Sequence, residues 1–200
     1  MPPNISDPQS HRVLKPAVAY TENGGKTWAP QSIPYGVGRV SAFTFFNERQ
    51  GLAFESSGPL YTSNGGKQWS YVDFKKSCTD QKRLEGYDMQ PVDVSFLDSE
   101  NAWLLFEDGR MTRSTDGGRT WCDLLGPTMV KFSSDRNFLK QIHFLDLSHG
   151  FGLTASGLLQ ETNDGGKTWN QVESAKFDDM FFVDEHVGFL VSREGLFRIE

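Results

Sequence analysis

The apolar and polar positions of this chain alternate in short runs rather than at helical spacing. Residues 39–46 (RVSAFTFF) and 51–55 (GLAFE) suit half-buried strands, and a turn at 47–49 joins them. Residues 59–62 and 69–74 supply two more strands, giving four antiparallel strands within one repeat length. The pattern returns at 92–97, 102–106, 110–114 and 121–125, and again at 139–145, 150–155, 158–162 and 169–173. A partial unit precedes these, with 17–20 and 28–33 as its strands, and another follows, with 177–183, 187–192 and 196–200. Seventeen strands are expected in all. The fold class is all-β, and four-stranded units in series predict a β-propeller of about five blades or an incomplete part of a larger one.

Between the last two strands of each unit lies one eight-residue box: TENGGKTW at 21–28, TSNGGKQW at 62–69, STDGGRTW at 114–121 and TNDGGKTW at 162–169. Trp28, Trp69, Trp121 and Trp169 are 41, 52 and 48 residues apart. An Asn-Gly or Asp-Gly pair followed by a second glycine is a strong hairpin signal, because the tight turn needs positive φ at its centre. Asn23, Asn64, Asp116 and Asp164 are placed to accept backbone N–H bonds within the turn, joined by the hydroxyls of Thr21, Thr62, Ser114 and Thr162. Gly25, Gly66, Gly118 and Gly166 complete the turn, and each tryptophan closes it with a large ring. No metal is expected there: a box offers one or two side-chain oxygens, and Ca²⁺ takes six to eight oxygen ligands.

The box pattern, Ser/Thr-x-Asp/Asn-x-Gly-x-Thr/Ser-Trp, resembles the Asp box or BNR repeat. That repeat occurs in sialidases, sortilin-type receptors, some xyloglucan-degrading enzymes and the photosystem II assembly-factor-like propellers. Residues 101–113 (NAWLLFEDGRMTR), leading into the third box, are most similar to the last group. Gln68 departs from the pattern where Thr or Ser is usual. The resemblance implies a non-enzymatic scaffold for a protein partner in an extracytoplasmic compartment: periplasmic, lumenal or secreted. The cytoplasm stays open as a second location. A carbohydrate-active propeller is the alternative, with Tyr35, Tyr87 and Trp103 as sugar-stacking rings. A sialidase needs an arginine cluster, a Tyr nucleophile with a nearby Glu and an acid Asp; the chain has arginines but no Arg-Ile-Pro signature before its first box, so no catalytic residue is assigned. Paired carboxylates of a glycosidase would leave no local pattern.

Composition narrows the classes further. With 37% hydrophobic residues, sixteen Phe and five Trp, 200 residues suffice for a substantial core. The net charge of −6 argues against nucleic acid as a partner. No run of eighteen apolar residues is present, so no membrane span is expected, and the first residues lack a signal-peptide pattern. Residues 1–15 read as a disordered lead-in, followed by one propeller domain over 16–200 with blades near 16–36, 37–74, 91–125, 138–174 and 175–200. No cofactor motif appears; the Gly-Gly pairs lie in hairpins, not before helices. Cys78 and Cys122 permit one disulfide, or stay as two thiols.

Two connections are long, 75–91 and 126–137, and insertions in repeat folds tend to gather on a binding face. Lys75, Lys76, Lys82, Arg83 and Tyr87 in the first and Arg136 in the second are the candidate partner-binding residues. Closure is open to two readings. In one, the N-terminal hairpin completes the last unit of a five-bladed ring; in the other, favoured because that hairpin brings a redundant strand, the chain is a piece of a larger ring or an arc whose edges invite self-association. Matching Gly157 with Gly195 puts the chain end one residue short of a fifth box, so a continuation would read Thr-x-Asp-Gly-Gly-x-Thr-Trp.

Overall fold

The structure is a computed structural model that describes residues 18–31, 40–55, 58–75, 91–107, 109–124, 138–183 and 186–199. All regular elements among them are β-strands. The first sheet is a hairpin of β1 (Val18–Tyr20) and β2 (Ala29–Gln31). The second pairs β3 (Val40–Phe45), β4 (Gly51–Glu55), β5 (Gly58–Thr62) and β6 (Ser70–Tyr71) in order. β7 (Asp73–Lys75) follows directly. The third sheet contains β8 (Pro91–Phe96), β9 (Ala102–Phe106), β10 (Met111–Ser114) and β11 (Thr120–Asp123). The fourth runs β12 (Leu139–Phe144), β13 (Gly150–Thr154), β14 (Leu158–Thr162), β15 (Asn170–Lys176). The fifth has β16 (Asp179–Phe182), β17 (Gly188–Ser192) and β18 (Gly195–Ile199). These sequential meanders are the blades of a β-propeller, here numbered 1 to 5 in chain order.

Eighteen strands replace the seventeen expected because the last strand of blade 2 divides. β6 pairs antiparallel with β5, and then Val72 turns the chain so that β7 lies parallel to β11 of blade 3. The Asp73 amide donates to the Arg119 carbonyl at 3.3 Å. Blade 2 thereby covers the outer edge of blade 3, which would otherwise present unpaired amides and carbonyls.

Each box hydroxyl both donates and accepts. Ser114 Oγ takes the Gly118 amide at 2.9 Å and gives its proton to Asp116 Oδ1 at 2.9 Å, and that oxygen takes the Thr120 amide at 2.8 Å. Thr62, Asn64 and Gly66 repeat this geometry, as do Thr162, Asp164 and Gly166, and Thr21, Asn23 and Gly25. The tryptophan then bends over the turn: Trp28, Trp121 and Trp169 donate from Nε1 to the carbonyls of Gly25, Gly118 and Gly166. Trp69 makes no such bond; its buried Nε1 lacks a partner among the described residues.

The box also fastens to the turn between the first two strands of its blade. Gly65, Gly117 and Gly165 donate to the carbonyls of Arg49, Glu100 and Ser148 at 2.8 Å each. A Cβ on Gly117 would stand 2.7 Å from the Ser99 carbonyl, and its φ of 73° already favours glycine. Asn47, Asp98 and Asp146 hold those partner turns by accepting two backbone amides apiece.

Between blades the core repeats one contact. The last residue of each first strand is a phenylalanine: Phe45, Phe96, Phe144, Phe182. Three of the four sit across from a glycine, as Phe144 does from Gly150, where a Cβ would come within 2.8 Å of the ring. Blade 3 has Ala102 opposite Phe96 instead. The bare backbone gives the ring room to meet the preceding blade. Trp103 of blade 3 stacks on Phe144 of blade 4 at 3.8 Å and 6°, and Phe151 of blade 4 stacks on Phe182 of blade 5 at 5.3 Å and 9°. Between blades 2 and 3, Leu52 and Phe96 belong to one cluster, and Phe96 stacks on Phe46 at 4.0 Å and 21°. Trp103 also donates from Nε1 to the Gly165 carbonyl at 3.0 Å, tying blade 3 to the box of blade 4.

Ile199 pairs with Gly188 as Thr162 pairs with Gly150, so Ile199, and not Glu200 as the match of Gly157 with Gly195 places it, occupies the position of the box hydroxyl. The turn before β18 is one residue shorter than the turn before β14, and matching glycine to glycine therefore slips the register.

Removing a buried box hydroxyl should destabilise more than removing an exposed one. Ser114→Ala, which leaves the Gly118 amide buried without an acceptor, is expected to cost about 1–3 kcal/mol in urea unfolding. Thr21→Val in the exposed first box is expected to lie within ~0.5 kcal/mol of the parent. Equal losses at both positions would show that burial of the network does not set its worth.

Candidate functional site

Antiparallel order within a blade sends the boxes and the first-to-second-strand turns to one end of the propeller. The second-to-third-strand turns and the connections between blades go to the other. The strands flanking both long connections, β7 and β8 on one side and β11 and β12 on the other, meet that second end. Lys76, Lys82, Arg83, Tyr87 and Arg136 lie outside the described residues, as do the Lys75 side chain, Tyr35 and Cys78, so the sequence-based binding site and the disulfide expectation fall outside them too. Cys122 is buried on β11.

At this same end a cleft of about 850 Å³ opens between blades 4 and 5. The turn at 155–157 forms one lip and Arg193 with Glu194 the other. Phe177, Phe197 and Leu190 supply apolar wall; the Phe177 and Phe197 rings meet edge to face at 6.1 Å. Lys140, Lys176, Arg193 and Arg198 line it with four cationic side chains against the two carboxylates of Asp178 and Glu194. Lys140 is held in place by donating to the Asp178 carbonyl at 2.6 Å. An apolar wall with surplus positive charge, on a chain of net charge −6, suits an anionic segment carrying an apolar side chain. Sequence reading missed these residues because they come from two repeats and sit in ordinary turns. The excess of cations at 140, 176, 193 and 198 becomes a signal only when the two repeats are laid side by side.

The first strands of blades 3, 4 and 5 carry a second polar array. Asp93, Gln141 and Asp179 share one register position, paired with Leu105, Leu153 and Val191. Asp93 Oδ2 accepts the Ile142 amide of the next blade at 2.7 Å, and Ser95 Oγ accepts the Phe144 amide at 2.9 Å. Gln141 accepts the Met180 amide at 3.3 Å and donates to the Met180 carbonyl at 2.9 Å. Burial pushes the Asp93 carboxyl up from 3.8 to about 6, against the lowering effect of the Ile142 and Val94 amides, and Asp179 adds to the rise. Burial also lowers His143, which lies flat on Phe182 at 4.6 Å. Asp98 and Asp146 belong to a different class. Asp98 is held low by the amides of Asn101 and Glu100 despite some desolvation, and Asp146 by those of His149 and Ser148. Asp164 of the fourth box is likewise held low, desolvation being outweighed by the Thr168 hydroxyl and amide.

The carbohydrate alternative loses one of its three rings here. Trp103 is wholly buried, with Arg113 over its face at 5.1 Å, because its position on β9 faces blade 4. Among the described residues, no group of three His, Cys, Asp or Glu is placed to hold a metal ion, and no helix is long and apolar enough to cross a membrane.

No family model and no curated protein matches the chain. Solved structures do. YCF48 from Cyanidioschyzon merolae is 17% identical, with 90% of this chain and 75% of that chain covered and a TM-score of 0.46. YCF48 bound to D1 peptide is 15% identical, with coverages of 90% and 70% and a TM-score of 0.45. An ancestral GH74 enzyme is 14% identical and gives a TM-score of 0.57, with 84% of this chain covering 23% of that one. Identities this low carry the fold alone.

The raised Asp93 carboxyl makes a signed prediction. A folded-state value above the unfolded one means the folded chain holds the extra proton between 3.8 and about 6. This contribution to stability is therefore present in acid and fades as pH rises through that window. Asp93→Asn keeps an oxygen for the Ile142 amide and removes the titration. Urea unfolding across the window should show the variant gaining on the parent as pH rises, by up to about 3 kcal/mol above it. Parallel pH profiles for the two proteins would refute the assignment.

Proposed function

We propose that this chain is a non-enzymatic propeller scaffold of the Asp-box type that holds an acidic segment of a protein partner in the cleft between blades 4 and 5. The observation that carries the reading is the cleft itself: four cations and two aromatic rings converge on about 850 Å³ at the end where the inter-blade connections meet. Glutamate or aspartate side chains of a bound strand would pair with Lys176 and Arg193, while an apolar side chain rests against Phe177 and Phe197. Such binding needs no bond making or breaking, only a rigid wall, and the interlocked blades supply one. The likeness of the box motif to that of extracytoplasmic propellers supports a location of the same kind.

A fluorescein-labelled peptide of alternating Glu and Leu tests the site. Anisotropy titration should give saturable binding that weakens with added salt, and the double variant Lys176→Glu/Arg193→Glu should weaken it roughly tenfold. Unaltered affinity in the double variant would remove the cleft from the reading. Turnover of a xyloglucan or related polysaccharide by the intact chain would replace the scaffold with a glycosidase.

A further inference from the structure

One side-chain pair recurs in the blades and is broken in blade 2. In blade 3 the fourth residue of the first-to-second-strand turn, Asn101, accepts at Oδ1 from Arg113, the residue before the box hydroxyl, at 3.3 Å. In blade 4 His149 and Glu161 hold the same two positions and bond Nε2 to Oε1 at 2.9 Å. The register agrees: Arg113 pairs with Trp103 and Glu161 with Phe151, as Tyr61 of blade 2 pairs with Leu52. The turn residue of blade 2 is Gln50, whose carbonyl takes the Phe46 amide as those of Asn101 and His149 take the Leu97 and Leu145 amides. Its side chain does not bond Tyr61. It accepts from Asn47 at 2.7 Å and donates to the Ser99 carbonyl of blade 3 at 3.2 Å, lying against Gly117 of the third box.

The break leaves a hydroxyl over inside the fold. Tyr61 is 4% exposed, its Oη is buried, and among the described residues no hydrogen-bond partner meets that oxygen. The side chain lines a hollow of about 510 Å³ between the boxes of blades 2 and 3, with Glu48, Arg49 and Gln50 from the turn, Ser63 from the second box and Arg119 from the third. Arg119 reaches back over Tyr61, its Cζ 5.9 Å from the ring centre. Among the described residues neither Arg49 nor Arg119 is in an ion pair, and Glu48 is the one opposing charge in the lining. The hollow lies at the box end of the propeller, away from the cleft between blades 4 and 5.

We propose that this hollow binds a tetrahedral oxyanion, a phosphoryl or sulfuryl group carried as a monoester. Guanidinium groups only donate, and the Tyr61 O–H has no acceptor of its own, so the ligand must bring oxygens that accept. Two guanidiniums against one carboxylate make the oxygens of an anion the better match. The donors stand on three elements: Arg49 on the turn, Tyr61 on β5 and Arg119 in the box of the neighbouring blade. A group with three terminal oxygens gives one to each, whereas a carboxylate has two to share. Seating that group also gives the buried hydroxyl a partner, and a buried polar group without one costs stability.

Inorganic phosphate titrated into the isotope-labelled chain, with ionic strength held constant by sodium chloride, tests the site by nuclear magnetic resonance. The amides of Ser63 and Arg119 should shift and saturate, with half-saturation on the order of 1 mM. Tyr61→Phe removes only the hydroxyl and should weaken binding about tenfold. Its urea midpoint without phosphate should not fall, because that oxygen has no protein partner to lose. Arg49→Ala/Arg119→Ala should abolish saturation. Phenyl phosphate and phenyl sulfate should also saturate the site, and the tighter of the two names the ester it takes. Acetate should bind about tenfold more weakly than phosphate. Shifts that stay linear in phosphate, an affinity unchanged in Tyr61→Phe, or acetate binding as tightly as phosphate would each overturn the proposal. Tyr61→Phe should bind the Glu and Leu peptide in the cleft as the parent does, so the two sites are read apart.

Discussion

The architecture depends on a hydroxyl that is buried and fully used. In the third box Ser114 Oγ receives an amide proton and donates its own to Asp116, leaving no donor wasted in a site that water does not reach. This closes the turn between third and fourth strands at a fixed width, and the turn then presents its glycine amide to the neighbouring turn of the same blade. The tryptophan is locked by the same turn, and in blade 3 its ring enters the contact with blade 2. Local hydrogen bonding, blade closure and inter-blade packing are thus successive uses of one eight-residue segment.

That hierarchy explains how the blades tolerate divergence. The register position that stacks on the next blade's first-strand phenylalanine as Trp103 and Phe151 is held by Leu52 in blade 2, which shares a cluster with Phe96, so size varies while position does not. Glycine or alanine across from the phenylalanine keeps the ring at a constant height, and the neighbour adjusts. Where the partner is large, the contact gains a specific feature: Trp103 is flat against Phe144 and reaches Gly165 with its N–H. Aromatic stacking of this kind adds about 0.5–1.5 kcal/mol beyond area burial.

The strands were legible because alternation and the box are local signals. Residues 51–55, 102–106 and 150–154 form strands where their patterns place them, since turns opened by Asn or Asp precede each run and a glycine follows it. Three features were not legible, each for a physical reason. The passage of β7 to blade 3 depends on which neighbour offers a free edge, and a periodic pattern does not encode that. Asp93, Gln141 and Asp179 read as ordinary polar positions of alternating strands; only their shared register shows them reaching from blade to blade. The cleft cations come from separate repeats, so no stretch of sequence contains the site.

Apolar contacts alone leave the height of one repeat against the next loosely set, and the polar rungs fix it. A carboxylate such as Asp93 can only accept, and it takes one amide of blade 4 while Ser95 takes another. The carboxamide of Gln141 does both, accepting the Met180 amide and donating to its carbonyl, which fixes the height of blade 5 as well as its distance. Removing Asp93 or Gln141 would leave the Ile142 or Met180 amide without this acceptor, a loss that apolar packing alone does not impose, because phenylalanine and leucine accept any neighbour of similar size. The height and distance of neighbouring blades therefore rest in part on a few hydrogen bonds of modest net strength whose absence is costly. The cleft inherits its shape from that placement, since Lys140 lies one residue before Gln141 and is carried into place with it.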